Sequence, residues 1–184
     1  MAPNDAVLTS RLDLRRPVPC DVAGLFAICS DSRVWSHYPS GRHRSAEQTR
    51  TMVQRWQNGW DAVGLGAWSV RLRGDMRVIG YGGCWVVGGA YWNLGYRLAA
   101  DAHGHGHATE LACEAVARTR DVNAALPVVA YLVEGNFASE RVARKAGLTL
   151  VYRAPDAGNP DASAIRLVYA DRRLTPDALA AALR

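Results

Sequence analysis

No two cysteines stand at C-x-x-C spacing in this 184-residue chain; Cys20, Cys29, Cys84 and Cys113 are scattered. That argues against a disulfide framework or a zinc ribbon, and for a reducing, cytoplasmic setting. Long apolar runs are also missing. None approaches the roughly 20 residues a membrane-spanning helix needs, so no membrane partner is expected. The opening "MAPNDAVLTSRLDLRRP" carries an acid early and lacks the apolar stretch of a secretory signal. Neither an internal repeat nor a dividing linker is present, so one domain is expected over residues 1–184. The Gly-Lys-Ser/Thr of a Walker loop is absent as well.

What is there is ordinary in bulk: 49% hydrophobic and 21% charged residues. A net charge of +5 favours an anionic partner, and an acidic substrate, a nucleotide-like cofactor or a nucleic acid would each fit. The arginines are dispersed rather than gathered in one stripe, and no RNA-module signature is present, which argues against nucleic acid.

Leu12 and Leu14 alternate with charges in "RLDLRRP", the pattern of an edge strand ended by Pro17. "DVAGLFAICS" reads as a short helix with Asp21 as N-cap. "SAEQTRTMVQRWQNGW" is a longer one, opened by a Ser45–Gln48 capping box, with Met52, Val53 and Trp56 on one face. "AWSVRL", "VIGYGGCWVV" and "WNLGYRLA" follow as three strands in hairpin succession, separated by glycine turns. Then come a helix from Ala108, the strand "PVVAYLV", the helix "NFASERVARKAG" stopped by Gly147, two strands, and a helix capped by Thr175. The fold class is mixed α/β.

The stretch "HGHGHATE" (103–110) sets three histidines on alternate positions. An extended strand would point His103, His105 and His107 one way, as a tridentate metal site requires. The intervening glycines weaken a strand, a helix begins at once, and no carboxylate or cysteine stands at ligand spacing; no metal is expected. Glu110 should face solvent on the first turn. A strand, a glycine loop and a helix start instead form a nest of backbone N–H groups that favours an anion. Gly104 and Gly106 admit close approach, and Thr109 adds a hydroxyl. A plain glycine turn before a helix remains open on these residues alone.

"LGYRLAADAHGHGHATEL", followed by "EGNFASERVARKAGL", resembles the GNAT superfamily of N-acetyltransferases, within it the branch of the ribosomal-protein acetyltransferases RimJ and RimL. The matching residues are Gly95, Tyr96, Leu98, Gly104, Gly106, Ala108, Thr109 and Glu110, then Asn136, Ser139, Val142, Lys145 and Gly147. The resemblance implies a central mixed sheet, flanked by helices and splayed between "WNLGYRLA" and "PVVAYLV". It implies acetyl-CoA as cosubstrate, its pantetheine arm bonded to the backbone near Tyr96 and Leu98. The pyrophosphate would lie on the N–H groups of His105, Gly106, His107, Ala108 and Thr109, beside Gly104. Asn136 corresponds to a pantetheine-contacting asparagine; it also fits an N-cap, and the two roles are compatible. Ser139 falls where the branch has a serine near the thiol.

This sequence departs from the family pattern in places. Asp101 stands where many members have Gln or Arg. Asn93 replaces a glutamate that serves as general base, and an amide can orient an amine or water without taking its proton. Ala143 replaces the tyrosine that protonates the leaving thiolate in other branches. The expected activity is acetyl transfer from acetyl-CoA to a primary amine, on a peptide or a small molecule, by direct attack in a ternary complex. Backbone N–H groups near Leu98 would stabilise the oxyanion, with Ser139 and Asn93 as the candidate catalytic residues. A covalent route through Cys84 or Cys113 lacks a base partner for either, and Cys113 should be packed. Trp35, Tyr38, Trp56, Trp60 and Trp68 are candidates for an acceptor pocket or for the core. The alternatives are a CoA-binding protein without catalysis and a basic RNA- or ribosome-surface binder; a homodimer is compatible with all of these.

Overall fold

The computed structural model describes residues 5–36, 38–157 and 159–183. Eight strands form one sheet: β1 (Ala6–Leu8), β2 (Leu12–Arg15), β3 (Ala67–Leu72), β4 (Val78–Val87), β5 (Tyr91–Leu98), β6 (Val128–Val133), β7 (Thr149–Pro155) and β8 (Ile165–Ala170). Their order is β1-β2-β3-β4-β5-β6-β8-β7. Every pairing is antiparallel except β5 with β6. Five helices accompany them: α1 (Val22–Cys29), α2 (Ala46–Val63), α3 (His107–Asn123), α4 (Phe137–Lys145) and α5 (Pro176–Ala182). The mixed α/β class and the hairpin succession of β3, β4 and β5 are as the sequence led one to expect.

Strand parity assigns the faces. Trp92, Leu94 and Leu98 of β5, Val128 and Ala130 of β6, and Leu167 and Tyr169 of β8 share the main core with Leu111, Ala112 and Ala115 of α3 and Val142 of α4. The alternate residues face the other way: Tyr81 packs with Leu25, Cys29 and Val53 of α1 and α2, and Tyr91, Val129 and Val168 pack under α5.

Two local readings need correction. "RLDLRRP" is not an edge strand, because β1 pairs outside it, Val7 opposite Leu14. Leu12 and Leu14 are fully buried accordingly. Asp21 occupies the N-cap of α1 but makes no side-chain cap bond. Its carboxylate accepts from Ser69 Oγ at 2.8 Å and from Arg71, a buried ion pair that fastens α1 to β3. The other ends follow the sequence: Gln48 Oε1 accepts from Ser45 N at 3.2 Å, Gly147 stops α4 at φ +87°, and Thr175 caps α5.

The feature that positions the site lies between β5 and β6. They pair at only two positions, Trp92 with Val128 and Asn93 with Val129. Beyond Asn93 the strands diverge, while β4 stays in register with β5 as far as Leu98.

Candidate active site

Divergence leaves one edge of β5 without a partner strand. Trp92 N–H donates toward β6, to Pro127 O at 2.8 Å. With unbroken alternation along β5, the N–H and C=O groups of Leu94, Tyr96 and Leu98 point the same way, into the gap. Unpaired buried backbone groups are costly, so such an edge calls for an extended ligand that can bond to it. The Leu98 carbonyl has a partner already, His103 Nε2 at 3.0 Å.

At the open end of the gap the chain passes through a 3-10 turn at Ala100–Ala102 and the glycine loop into α3. Gly104 and Gly106 have φ of +82° and +78°, the left-handed region that a side chain disfavours. The tight turn at Gly106 occupies the Thr109 and Glu110 N–H groups, both donating to Gly106 O at 3.1 Å. The N–H groups of Gly104, His105, Gly106, His107 and Ala108 meet no acceptor among the described residues. Five free donors at the positive end of a helix dipole form an anion seat.

Arg11, in the β1–β2 turn, stands over this seat. Its Nη1 donates to His105 O at 2.7 Å and its Nε to Glu110 Oε2 at 2.7 Å. Glu110 therefore does not face solvent, as its helix position suggested; it also accepts from Thr9 Oγ1 at 2.6 Å and Arg11 N at 2.7 Å. Burial pushes the Glu110 carboxyl up, but these donors outweigh it and hold the group below its ordinary value. Nothing in the local sequence marked Arg11; a lone arginine in a turn has no signature.

The histidines do not converge. His103 is held by Leu98 O, and the rings of His105 and His107 stack at 5.6 Å. Among the described residues no group of three His, Cys, Asp or Glu side chains is arranged to hold a metal. Burial, then Arg11 and His105, lower the His107 pKa, so it is neutral at pH 7. Asp101 is accounted for by Arg77, which bonds to it at 2.8 Å and keeps it ionised and turned to its own partner.

On the α3–α4 side of the gap, Asn136 Oδ1 accepts from Ser139 N at 3.2 Å, so the asparagine is the N-cap of α4. Tyr96 lies beneath α4; burial raises its hydroxyl pKa, and the nearby Ser139 hydroxyl opposes the rise. Asn93 sits at the apex on the opposite face, 5% exposed. No hydrogen bond of ordinary geometry satisfies Asn93 Oδ1 or the Tyr96 hydroxyl among the described residues. Two orphaned polar atoms flank the gap from its two sides. Unsatisfied buried groups of this kind can bond to a water or a ligand that enters the gap.

Other candidates are placed elsewhere. Glu134, the carboxylate just before Asn136 and the first alternative candidate for a base, is bound to Arg153 at 2.8 Å, which holds its carboxyl below the usual range and makes it a weak base. Cys84 is fully buried, and burial pushes its thiol well up, away from nucleophilic use. Cys113 is exposed, not packed as expected, with Sγ 3.5 Å from Lys145 O. Trp60 and Trp68 are core residues. Trp35 is buried under the Arg97 guanidinium at 3.7 Å, whereas Trp56 and Tyr38 line separate cavities.

A sheet parted between two parallel strands, with five free N–H donors at its open end, is the architecture of the site. The chain belongs to the GNAT acetyltransferase family: residues 11–149 match the model of the acetyltransferase (GNAT) domain. No curated protein matches it by sequence. Solved structures share the fold. A GNAT-family acetyltransferase from Bacillus anthracis is 21% identical with a TM-score of 0.75, over 90% of this chain and 96% of that one. RimL, a ribosomal L7/L12 alpha-N-protein acetyltransferase in complex with coenzyme A, is 19% identical with a TM-score of 0.74, over 91% and 96%. The microcin C7 self-immunity acetyltransferase MccE, in complex with acetyl-CoA and AMP, is 13% identical with a TM-score of 0.72, over 91% and 94%.

Proposed function

We propose that the protein transfers the acetyl group of acetyl-CoA to a primary amine, with a peptide N-terminus as the preferred acceptor. The observation that carries this reading is the two-residue pairing of β5 with β6, which leaves the edge from Leu94 to Leu98 without a strand partner. A pantetheine arm carries amide groups that can bond to such an edge as a strand would. The free donors of the 104–108 loop suit its pyrophosphate, and Arg11 adds positive charge beside them. The residues present therefore fit the cosubstrate.

In the proposed reaction the neutral amine nitrogen attacks the thioester carbonyl carbon, a C–N bond forms, and the C–S bond breaks. Backbone N–H groups on the β5 edge stabilise the oxygen that gains charge. Asn93 orients the amine through Oδ1 without accepting its proton, which passes to solvent. The hydroxyls of Tyr96 and Ser139, on the α4 side, are the donors available to the departing thiolate. Ser139 takes this part in place of the tyrosine whose position Ala143 occupies. No metal is required by this scheme.

The test is thiol release from acetyl-CoA over a panel of N-terminal peptides, polyamines, aminoglycosides and amino acids. Turnover on peptide α-amines supports the reading. Bound CoA with no turnover on any amine would instead favour a CoA-binding protein without catalysis, and turnover confined to polyamines or aminoglycosides would overturn the peptide preference.

A further inference from the structure

A cavity of about 480 Å3 lies between α2 and the β3–β4 strands, on the face of the sheet that carries Asn93. Its walls are mainly apolar: Met52 and Trp56 from α2, Leu65 and Ala67 at the start of β3, and Trp85 from β4. Two glycines give it its form. Gly59 sits inside α2, where glycine weakens a helix, and a Cβ built on it meets nothing within 4 Å. Packing therefore gives no reason for the glycine; the space above it belongs to the cavity. Gly95 does the reverse, since a Cβ there would lie 2.5 Å from the Trp85 ring. Its absence lets the indole lie across β5.

Trp85 stands directly opposite Asn93 in the β4–β5 register, on the same face. It is thus a wall shared by the cavity and the apex. Arg55 lines the cavity as well, exposed, and it pairs with no acid or carbonyl among the described residues. An apolar hollow of this size, with one unpaired cation at its side, matches a ligand with an apolar body and an anionic group.

We propose that this cavity receives the large apolar first side chain of a peptide acceptor, and that Arg55 pairs with an acidic residue following it. This rests on the acetyl-transfer reading above, with the α-amine at Asn93. An aromatic side chain stacks between Trp56 and Trp85, and the carboxylate stays at the wet rim with Arg55.

The experiment uses the full chain with the tripeptides Phe-Asp-Gly, Phe-Asn-Gly and Gly-Asp-Gly, each α-amine titrated first and every kcat/KM expressed per neutral amine. Phe-Asp-Gly should exceed Gly-Asp-Gly in kcat/KM by roughly tenfold or more, from burial of the aromatic ring. It should also exceed Phe-Asn-Gly several-fold. Gly59→Leu fills the cavity and should erase the first preference while leaving CoA affinity by calorimetry unchanged; Arg55→Glu should reverse the second. Quenching of indole fluorescence by Phe-Asp-Gly with CoA bound reports occupancy without chemistry. Acetylation of all three peptides at equal kcat/KM, or a phenylalanine preference that survives Gly59→Leu, overturns the cavity proposal and leaves the acetyl-transfer reading standing. Binding of Phe-Asp-Gly that Gly59→Leu abolishes, with no acetylation of any peptide, upholds the cavity and removes that reading.

Discussion

Glu110 shows how a residue's chemistry is decided far from its own helix. On the first turn of α3 a glutamate complements the helix dipole from solvent; here its carboxylate is taken by Thr9 and Arg11, 101 and 99 residues away. No local pattern could reveal that. The arrangement makes a pH prediction. Because the folded carboxyl titrates below its ordinary value of 4.5, its stabilisation is complete above that pH and is lost as pH falls through the lowered folded value. Glu110→Gln should cost about 1–2 kcal/mol at pH 7 in urea denaturation, discounted because Arg11 is half exposed, and the difference from wild type should shrink towards pH 3. A constant difference over that range would show that the pair carries no such linkage. Asn93, by contrast, was placed on β5 by the sequence alone, and the structure shows it buried there at the end of the β5–β6 pairing.

At the scale of elements, glycine turns between β-branched and aromatic runs made β3, β4 and β5 readable, and helix caps marked α2, α4 and α5. The three-residue β1 was not readable, because so short a segment shows no alternation, and missing it made β2 look like an edge. The parting of β5 from β6 also has no local signature; it was expected only through family resemblance. Two elements carry tests. Asp21→Ala leaves Arg71 buried and unpaired between α1 and β3, and should cost about 3–5 kcal/mol in equilibrium unfolding. A loss below about 1 kcal/mol would mean that water reaches the guanidinium. In the 104–108 loop, a β-branched residue at the φ of +78° held by Gly106 is strained by about 1–2 kcal/mol. Gly106→Val should therefore remain folded by circular dichroism yet lose CoA affinity by roughly tenfold or more in calorimetry. Unchanged affinity would reduce the loop to a turn.

In the whole molecule the sheet is a frame that parts between β5 and β6: α3 and α4 pack on one face, and α1 and α2 on the other. Among the described residues no helix is long and apolar enough to cross a membrane, and His103, His105 and His107 bond or stack within the loop. Treatment with a chelator should accordingly leave both Tm and CoA affinity as they were; a drop in either, reversed by zinc, would restore the metal reading of His103, His105 and His107.

The most direct test of the central claim compares an α-amine with a lysine side chain across pH. If Asn93 takes the place of a carboxylate base, as proposed, the rate depends on the fraction of acceptor already neutral. An α-amine of pKa about 7.7–8.0 is roughly a tenth neutral at pH 7, while a lysine near 10.4 is neutral at only a few parts in ten thousand. The gap of about 2.5 units corresponds to roughly 3 kcal/mol of deprotonation cost that this site has no strong base to offset. Thiol release with a free N-terminal peptide, and with the same peptide blocked at its N-terminus and carrying one lysine, should differ by about 100-fold or more at pH 7. The peptide rate should climb through the acceptor's own pKa. Efficient lysine acetylation at pH 7, or a profile set by an enzyme group near pH 6, would contradict the account.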